Sequence, residues 1–444
     1  KITVGILSLG CPKNLVDSEV ILGFLKHGGY AIRYDVTECD VAILNTCAFV
    51  RDAKQESVEM ISELCRLKAE GRIQFIVVCG CLPQRYTSGY GTCMNEVDGY
   101  IGLGQINNIV AIVDAVVQGH RVINTAGTTY VYDHTSPRFM LTPSFVKYIK
   151  IAEGCNHKCS FCIIPDIRGP YVSRPIESIV SEVRHHVAHG LREAVIISQD
   201  TTYYGKELYG EYKLADLLRE LNAIEGLEWI RVLYMYPRNI TQELISVITS
   251  CDKICNYVDL ALQHINDDIL RSMRRGISSQ EIRDVIARLR REIPGLVLRT
   301  TFIVGYPGEG YSEFNELLDF VDEMRFERMG AFMYSAEEGT HAADLLDSVP
   351  EDVKKSRFQD IMLLQQSISR EKNSALSGKV FKTLIEGTNR DIPDYLIGRT
   401  YMDAPDIDGW VYVKKTEGLD IGRFYNVKIT DSSEYDLIGE AVSD

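Results

Sequence analysis

The sequence has no run approaching eighteen consecutive apolar residues and no charged, apolar and small-residue leader, so neither a membrane-spanning helix nor a secretory signal is expected. A soluble, cytoplasmic protein is the expectation. Positive charge is also scarce: 48 Lys and Arg stand against 62 Asp and Glu, a net charge of −14. That deficit argues against a general nucleic-acid binder, which needs a dense basic field to release counterions from phosphate. A basic macromolecule is the easier partner. Cysteine, by contrast, is plentiful at twelve residues. In a long, leaderless chain whose cysteines cluster after strands, reduced metal-binding thiols are expected rather than disulfides.

Three of those thiols lie in Glu153-Gly154-Cys155-Asn156-His157-Lys158-Cys159-Ser160-Phe161-Cys162, a Cys-x3-Cys-x2-Cys loop just after an apolar strand. Thiolates so close together suit a soft-metal centre, whether iron-sulfur, zinc or cuprous copper. A closed zinc site needs four protein ligands, and only His157 is nearby, inside a loop too tight to wrap back. Zinc is therefore the weaker reading. A four-iron cubane with one iron left open to an exogenous amine and carboxylate fits the three ligands better.

At 444 residues, two to four domains are expected. Residues 1 to about 130 alternate strand-length apolar runs (Ile2–Leu9, Val41–Leu44, Phe75–Val78) with helical periodicity (Ser18–Lys26, Ala53–Lys68), which predicts a parallel sheet of βαβ units. Each run leads into a cysteine, Cys11, Cys47 and Cys81, at intervals of 36 and 34 residues, about one repeat each. The three thiols should thus return to one carboxyl edge, where open α/β sheets bind ligands. Cys39, Cys65, Cys79, Cys93, Cys251 and Cys255 lack such a pattern and are expected to pack, Cys79 being the nearest to an exception.

After a linker at Asp133–Pro143, six strand-like runs (Phe145–Ala152, Ala194–Ser198, Ile230–Tyr236, Tyr257–Leu262, Leu296–Val304, Met329–Ser335) alternate with helices such as Ile176–His189 and Glu281–Arg291. That pattern predicts a partial barrel with its chemistry at the C-terminal strand ends, where the Cys155 loop emerges. Gln199 and Asp200, Gln263 and His264, and Gly305-Tyr306-Pro307-Gly308-Glu309 lie at other strand ends; His264 reads as a hydrogen-bonded structural residue. A helix over Glu351–Leu376, opened by a Ser348/Glu351 capping box and stopped at Gly378, closes the barrel. Short β runs at Val380–Ile385, Val411–Val413 and Tyr425–Ile429 then suggest a small antiparallel barrel. Its segment, residues 379–444, holds eight Lys and Arg against thirteen Asp and Glu, and Asp403, Asp406 and Asp408 are expected to form an acidic docking surface for a basic protein.

The Cys155 loop, with Phe161 before its last cysteine, resembles the radical S-adenosylmethionine (SAM) superfamily. Leu9-Gly10-Cys11-Pro12-Lys13-Asn14, Asn45-Thr46-Cys47, Gly80-Cys81, Ser173-Arg174-Pro175, Leu262-Gln263-His264 and Phe302–Glu309 extend the likeness almost end to end to the radical-SAM methylthiotransferases. Within them the Cys-Pro-Lys-Asn motif and Asp403-Ala404-Pro405-Asp406-Ile407-Asp408 resemble the ribosomal-protein (RimO-type) branch; the transfer-RNA branch typically has Cys-Gln-Met-Asn.

The resemblance implies an α/β architecture: an auxiliary-cluster domain at 1–132, a partial (β/α)6 radical-SAM barrel at 143–376 and a TRAM-type β-barrel at 379–444. It implies two 4Fe-4S clusters, one on Cys155, Cys159 and Cys162 that reduces SAM, and one on Cys11, Cys47 and Cys81 associated with the inserted sulfur. One SAM would yield a 5′-deoxyadenosyl radical and a second the methyl group, placing a methylthio group on the β-carbon of an aspartate in small-subunit ribosomal protein number twelve. Such a C–H bond has no acidity for a base to exploit. Phe161, Arg174, Gln199, Gln263, Gly305, Pro307 and Gly308 are the expected SAM contacts. An electron donor is implied as a partner. A membrane is not, and nucleic acid is not expected as substrate, although a transfer-RNA adenosine methylthiotransferase is the alternative.

Overall fold

The computed structural model of the chain describes residues 1–91, 94–346 and 349–442. Cys93 and Ser348, for which packing and capping are expected, lie outside them. The N-terminal part is a six-stranded parallel sheet of β1 (Thr3–Ser8), β2 (Ala31–Arg33), β3 (Val41–Thr46), β4 (Phe75–Gly80), β5 (Gly99–Ile101) and β6 (Val122–Asn124), in the order β2-β1-β3-β4-β5-β6. The apolar runs correspond to the central strands β1, β3 and β4; β2, β5 and β6 are three residues each, too short to carry a periodicity. Because β1, β3 and β4 are neighbours, their carboxyl ends lie together. Cys11 there precedes helix Pro12–His27, Cys47 follows β3, and Cys81 opens helix Cys81–Arg85.

The barrel strands are β7 (Val146–Lys150), β10 (Glu193–Ile197), β11 (Trp229–Val232), β12 (Tyr257–Gln263), β13 (Val297–Val304) and β14 (Arg328–Met333). Between β7 and β10 the chain forms a small antiparallel pair, β8 (Ala152–Glu153) with β9 (Val172–Ser173). The six parallel strands form two ladders, β11-β10-β7 and β12-β13-β14, with isolated bridges such as Met235 to Leu260 between them. Helix Glu351–Ser374 packs along β14. It starts directly after Pro350, which supplies no side-chain cap, so Glu351 is its first residue and not the reciprocal member of a capping box. No helix among the described residues is long and apolar enough to cross a membrane.

The C-terminal strands β15 (Val380–Thr388), β16 (Tyr395–Arg399), β17 (Val411–Lys414), β18 (Phe424–Ser432) and β19 (Leu437–Ala441) close into a barrel ordered β15-β16-β17-β19-β18. It is not wholly antiparallel, because β17 and β19 run parallel. The expected acidic docking surface is not there. Asp403 is 2% exposed and bound to Arg328 at 2.6 Å, while Asp408 accepts from Tyr257 Oη at 2.6 Å and faces Arg299 at 3.5 Å; only Asp406 of the three is exposed. Arg399 likewise sits between Glu193 and Glu386, each at 2.5 Å, beside Arg231. These charges fasten the small barrel to residues near the starts of β10 to β14. Partners buried on the neighbouring β7 to β14 part took carboxylates that sequence alone leaves facing solvent. Asp403→Lys is therefore expected to destabilise the protein by about 3–5 kcal/mol by leaving Arg328 buried against a like charge, as denaturant unfolding or proteolytic release of the small barrel would show.

The linker at Asp133–Pro143 is also not loose. Arg138 lies buried between Glu19 of helix Pro12–His27 and Glu182 of helix Ile176–Ala188, and Phe139 N–H donates to Glu19 O at 2.9 Å. A second buried link, Glu337 with Lys54 at 2.7 Å and Arg85 at 2.8 Å, ties the chain after β14 to the N-terminal domain.

Candidate active site at the domain junction

The Cys155 loop is shaped by its ends. Gly154 takes φ +72, and a Cβ there would lie 2.0 Å from Pro170 O, so only glycine lets the loop close on itself. Cys155 N–H then donates to Gly169 O at 3.1 Å. In the middle, His157 Nε2 meets the buried carboxylate of Asp200 at 2.6 Å, and its ring stacks on Tyr236 with centroids 3.9 Å apart. His157 is thus a fastener of the loop. Arg275, which sequence reasoning missed, places Nη1 3.2 Å from Cys159 Sγ and lies over the Tyr236 ring.

The second triad is assembled by close backbone approach. Gly10 has φ +85, and a Cβ on it would come within 2.7 Å of Cys47 Cβ, so the Cys11 turn packs directly on Cys47. Asn14 ties the turn down by donating to Leu9 O at 3.0 Å and Thr46 O at 2.9 Å. Arg168, at the end of helix Ile164–Arg168 that follows Cys162, crosses from the barrel. Its Nη2 lies 3.7 Å from Cys81 Sγ and donates to Asn14 Oδ1 at 2.5 Å and Asp17 Oδ2 at 3.1 Å, while Nη1 binds both Glu153 oxygens at 3.0 and 2.9 Å. Lys150 completes this network with Asp17 and Glu153. A single residue therefore touches the Cys81 side chain and precedes the carbonyl that holds Cys155.

Burial pushes the Cys155, Cys162 and Cys81 thiols up to about 12 and raises Cys47 as well, with Arg275 and Arg168 among the neighbours pulling the other way. Such thiols ligate only when a metal displaces the proton. The donor set, three cysteines per site with an arginine against one sulfur, suits iron-sulfur clusters. Among the described residues no group of His, Cys, Asp or Glu converges on the position of a single ion.

The remaining expected residues divide. Phe161 packs with Tyr306, Ile269 and Met273, and Ser160 Oγ bonds Tyr306 Oη at 2.8 Å, so the loop and the Gly305–Gly308 turn are neighbours. Gly305 and Gly308 have positive φ, Pro307 is buried, and Glu309 pins the turn by accepting from Gly305 N at 2.9 Å and Arg357 at 2.7 Å. His264 is buried against Glu309 at 3.2 Å, a structural role as expected. Gln199 and Gln263 are half-buried at strand ends, and their amides make no hydrogen bond among the described residues; Gln263 adopts φ +74, a strained conformation of the kind found at functional sites. Arg174 has a different task from the expected SAM contact. It is 1% exposed, bound to Glu182 at 2.6 Å, Lys150 O at 2.9 Å and Ser178 Oγ at 3.2 Å, and packed on Tyr132. Of the packing cysteines, Cys39, Cys65, Cys79 and Cys255 are buried and Cys251 is half-buried.

Residues 149–321 match the Radical SAM superfamily, residues 3–102 the uncharacterized protein family UPF0004, and residues 378–442 the TRAM domain. A solved structure, the radical SAM methyltransferase TsrM of Kitasatospora setae with cobalamin and a [4Fe-4S] cluster, shares the fold at TM-score 0.53 and 16% identity, over 74% of this chain and 71% of that one. Fold and site thus define a radical-SAM enzyme with a thiol-bearing α/β domain before the barrel and a TRAM barrel after it. Proteins named ribosomal protein uS12 methylthiotransferase RimO are similar end to end: that of Desulforamulus reducens is 46% identical over 99% of both chains, that of Pelotomaculum thermopropionicum 47% over 99% of both, and that of Clostridioides difficile 43% over 99% of this chain and 98% of its own. The chain belongs to the RimO family of radical-SAM methylthiotransferases.

Proposed function

We propose that this enzyme attaches a methylthio group to the β-carbon of an aspartate in ribosomal protein uS12, using two clusters held by two cysteine triads. Cys155, Cys159 and Cys162 would hold the SAM-reducing cluster, and Cys11, Cys47 and Cys81 the auxiliary one. When bound, the first would supply the electron for reductive cleavage of SAM and the second would be the source of the inserted sulfur. The chain's part is positioning. His157, Asp200 and Tyr236 hold the first loop rigid, Arg275 and Arg168 each set a cation against one thiol, and the Ser160–Tyr306 hydrogen bond beside Phe161 would present the adenosine-binding backbone.

The observation that carries this reading is Arg168. Its contacts bring Cys81 and the Cys155 loop to one junction between residues assigned to domains 1–132 and 143–376. We assign the TRAM-type barrel, 379–444, to anchoring rather than chemistry, and take the enzyme to act in the cytoplasm with a separate electron donor. No observation in the structure favours the transfer-RNA alternative. The test is anaerobic incubation of reconstituted enzyme with reductant, SAM, sulfide and either uS12 or transfer RNA, read by mass spectrometry. Methylthio on a uS12 aspartate is the expected product; modification of transfer RNA alone would overturn the proposal.

A further inference from the structure

We propose that Lys13 receives the carboxylate of the substrate's aspartyl side chain and so selects the residue to be modified; this rests on the reading of a protein aspartate as target. Lys13 lies in the first turn of helix Pro12–His27, two residues after Cys11, and is 5% exposed. Its Nζ sits 3.4 Å from the centroid of the Tyr234 ring. Among the described residues it makes neither an ion pair nor a hydrogen bond, whereas Lys54, Arg138, Lys150, Arg168 and Arg174 at this junction are each bound to a carboxylate.

The titratable groups around Lys13 are Cys11, Arg168, Glu153 and Asp259. Neither carboxylate is open to it: Glu153 is held by Arg168 and Lys150, and Asp259 by Arg299 at 3.0 Å. A nearly buried lysine side chain with only an aromatic face beneath its nitrogen is poorly satisfied and gains most from an arriving anion. The seat is specifically built. Tyr234, just past the end of β11, takes φ +61, unusual for a residue with a side chain, and its N–H donates to Asp259 Oδ2 at 2.9 Å. The lysine thus stands on the N-terminal domain beside Cys11 while its support stands on the barrel.

The chemistry fits one side chain in particular. In aspartate the β-carbon is bonded to the carboxyl carbon, so an ion pair to the carboxylate fixes the reacting carbon within one bond. In glutamate the same pair would present the γ-carbon, and in asparagine the ion pair is lost.

The test measures binding of uS12, and of uS12 with Asn at the target aspartate, to anaerobically reconstituted holoenzyme, with iron content determined alongside. Wild-type enzyme is expected to prefer the aspartyl protein at least about tenfold, the scale of one charge-assisted hydrogen bond. Lys13→Met, similar in length but uncharged, should bind both proteins alike with wild-type iron content, and Lys13→Arg should retain a preference. The proposal is overturned if Lys13→Met keeps the tenfold preference, or if it loses iron from the Cys11 triad, which would assign the lysine to cluster neutralisation. Should Lys13→Met not fold, equal binding of the two proteins by wild-type enzyme would still refute it. Wild-type enzyme that leaves uS12 unmodified would instead overturn the proposed function.

Discussion

Replacing Cys155, Cys159 and Cys162 together with Ala is expected to abolish SAM cleavage and remove about half of the bound iron, on a stoichiometry of one cubane per triad. The reciprocal triple change at Cys11, Cys47 and Cys81 should remove the other half but separate the functions: 5′-deoxyadenosine still forms under reductant while uS12 gains no sulfur. The physical ground is that the two sets of cysteines stand on separate elements, the Cys155 loop and the carboxyl ends of β1, β3 and β4. Gly154 and the Cys155 to Gly169 hydrogen bond close one, and Gly10 packed on Cys47 closes the other. Iron assay and chromatographic quantification of 5′-deoxyadenosine check both variants. Full iron retention in the Cys11, Cys47 and Cys81 variant would refute the auxiliary site.

The second large effect belongs to Arg168. Arg168→Met leaves Asp17 and Glu153 buried with only Lys150 between them, and breaking a buried charge network of this kind costs about 3–5 kcal/mol. Beyond stability, the variant should uncouple the two sites, lowering the yield of methylthiolated uS12 per 5′-deoxyadenosine by about tenfold or more, since small misplacement at a reacting centre is costly. Arg168→Lys keeps the charge but cannot reach Glu153, Asp17 and Asn14 at once with a planar fork, so it should recover stability more than coupling. Denaturant unfolding and the product ratio separate the two effects. An unchanged ratio in both folded variants would reduce Arg168 to a structural salt bridge.

What the sequence determined by itself is local or periodic. Ligand spacing within Cys155–Cys162, the recurrence of Cys11, Cys47 and Cys81 after successive apolar strands, and the order of three architectures are all written in short windows or fixed repeats, and the central strands β1, β3 and β4 begin within a residue of where their apolar runs do. Three-residue strands such as β2, β5 and β6 carry no such signal, and they emerge only by pairing, β2 with β1, β5 with β4 and β6 with β5.

The tertiary structure alone decided which charged groups face the chemistry. Asp403 and Asp408 read as solvent-facing acids and are buried against Arg328, Arg299 and Tyr257; Arg174 reads as a cofactor contact and is bound to Glu182 and Lys150 O. Arg275 and Arg168 give no motif of their own, yet they supply the cations at Cys159 and Cys81. The reason is that pairing a buried charge depends on which residue arrives opposite it. Asn14 and Arg168, 154 positions apart, meet only once the N-terminal sheet has docked on the barrel.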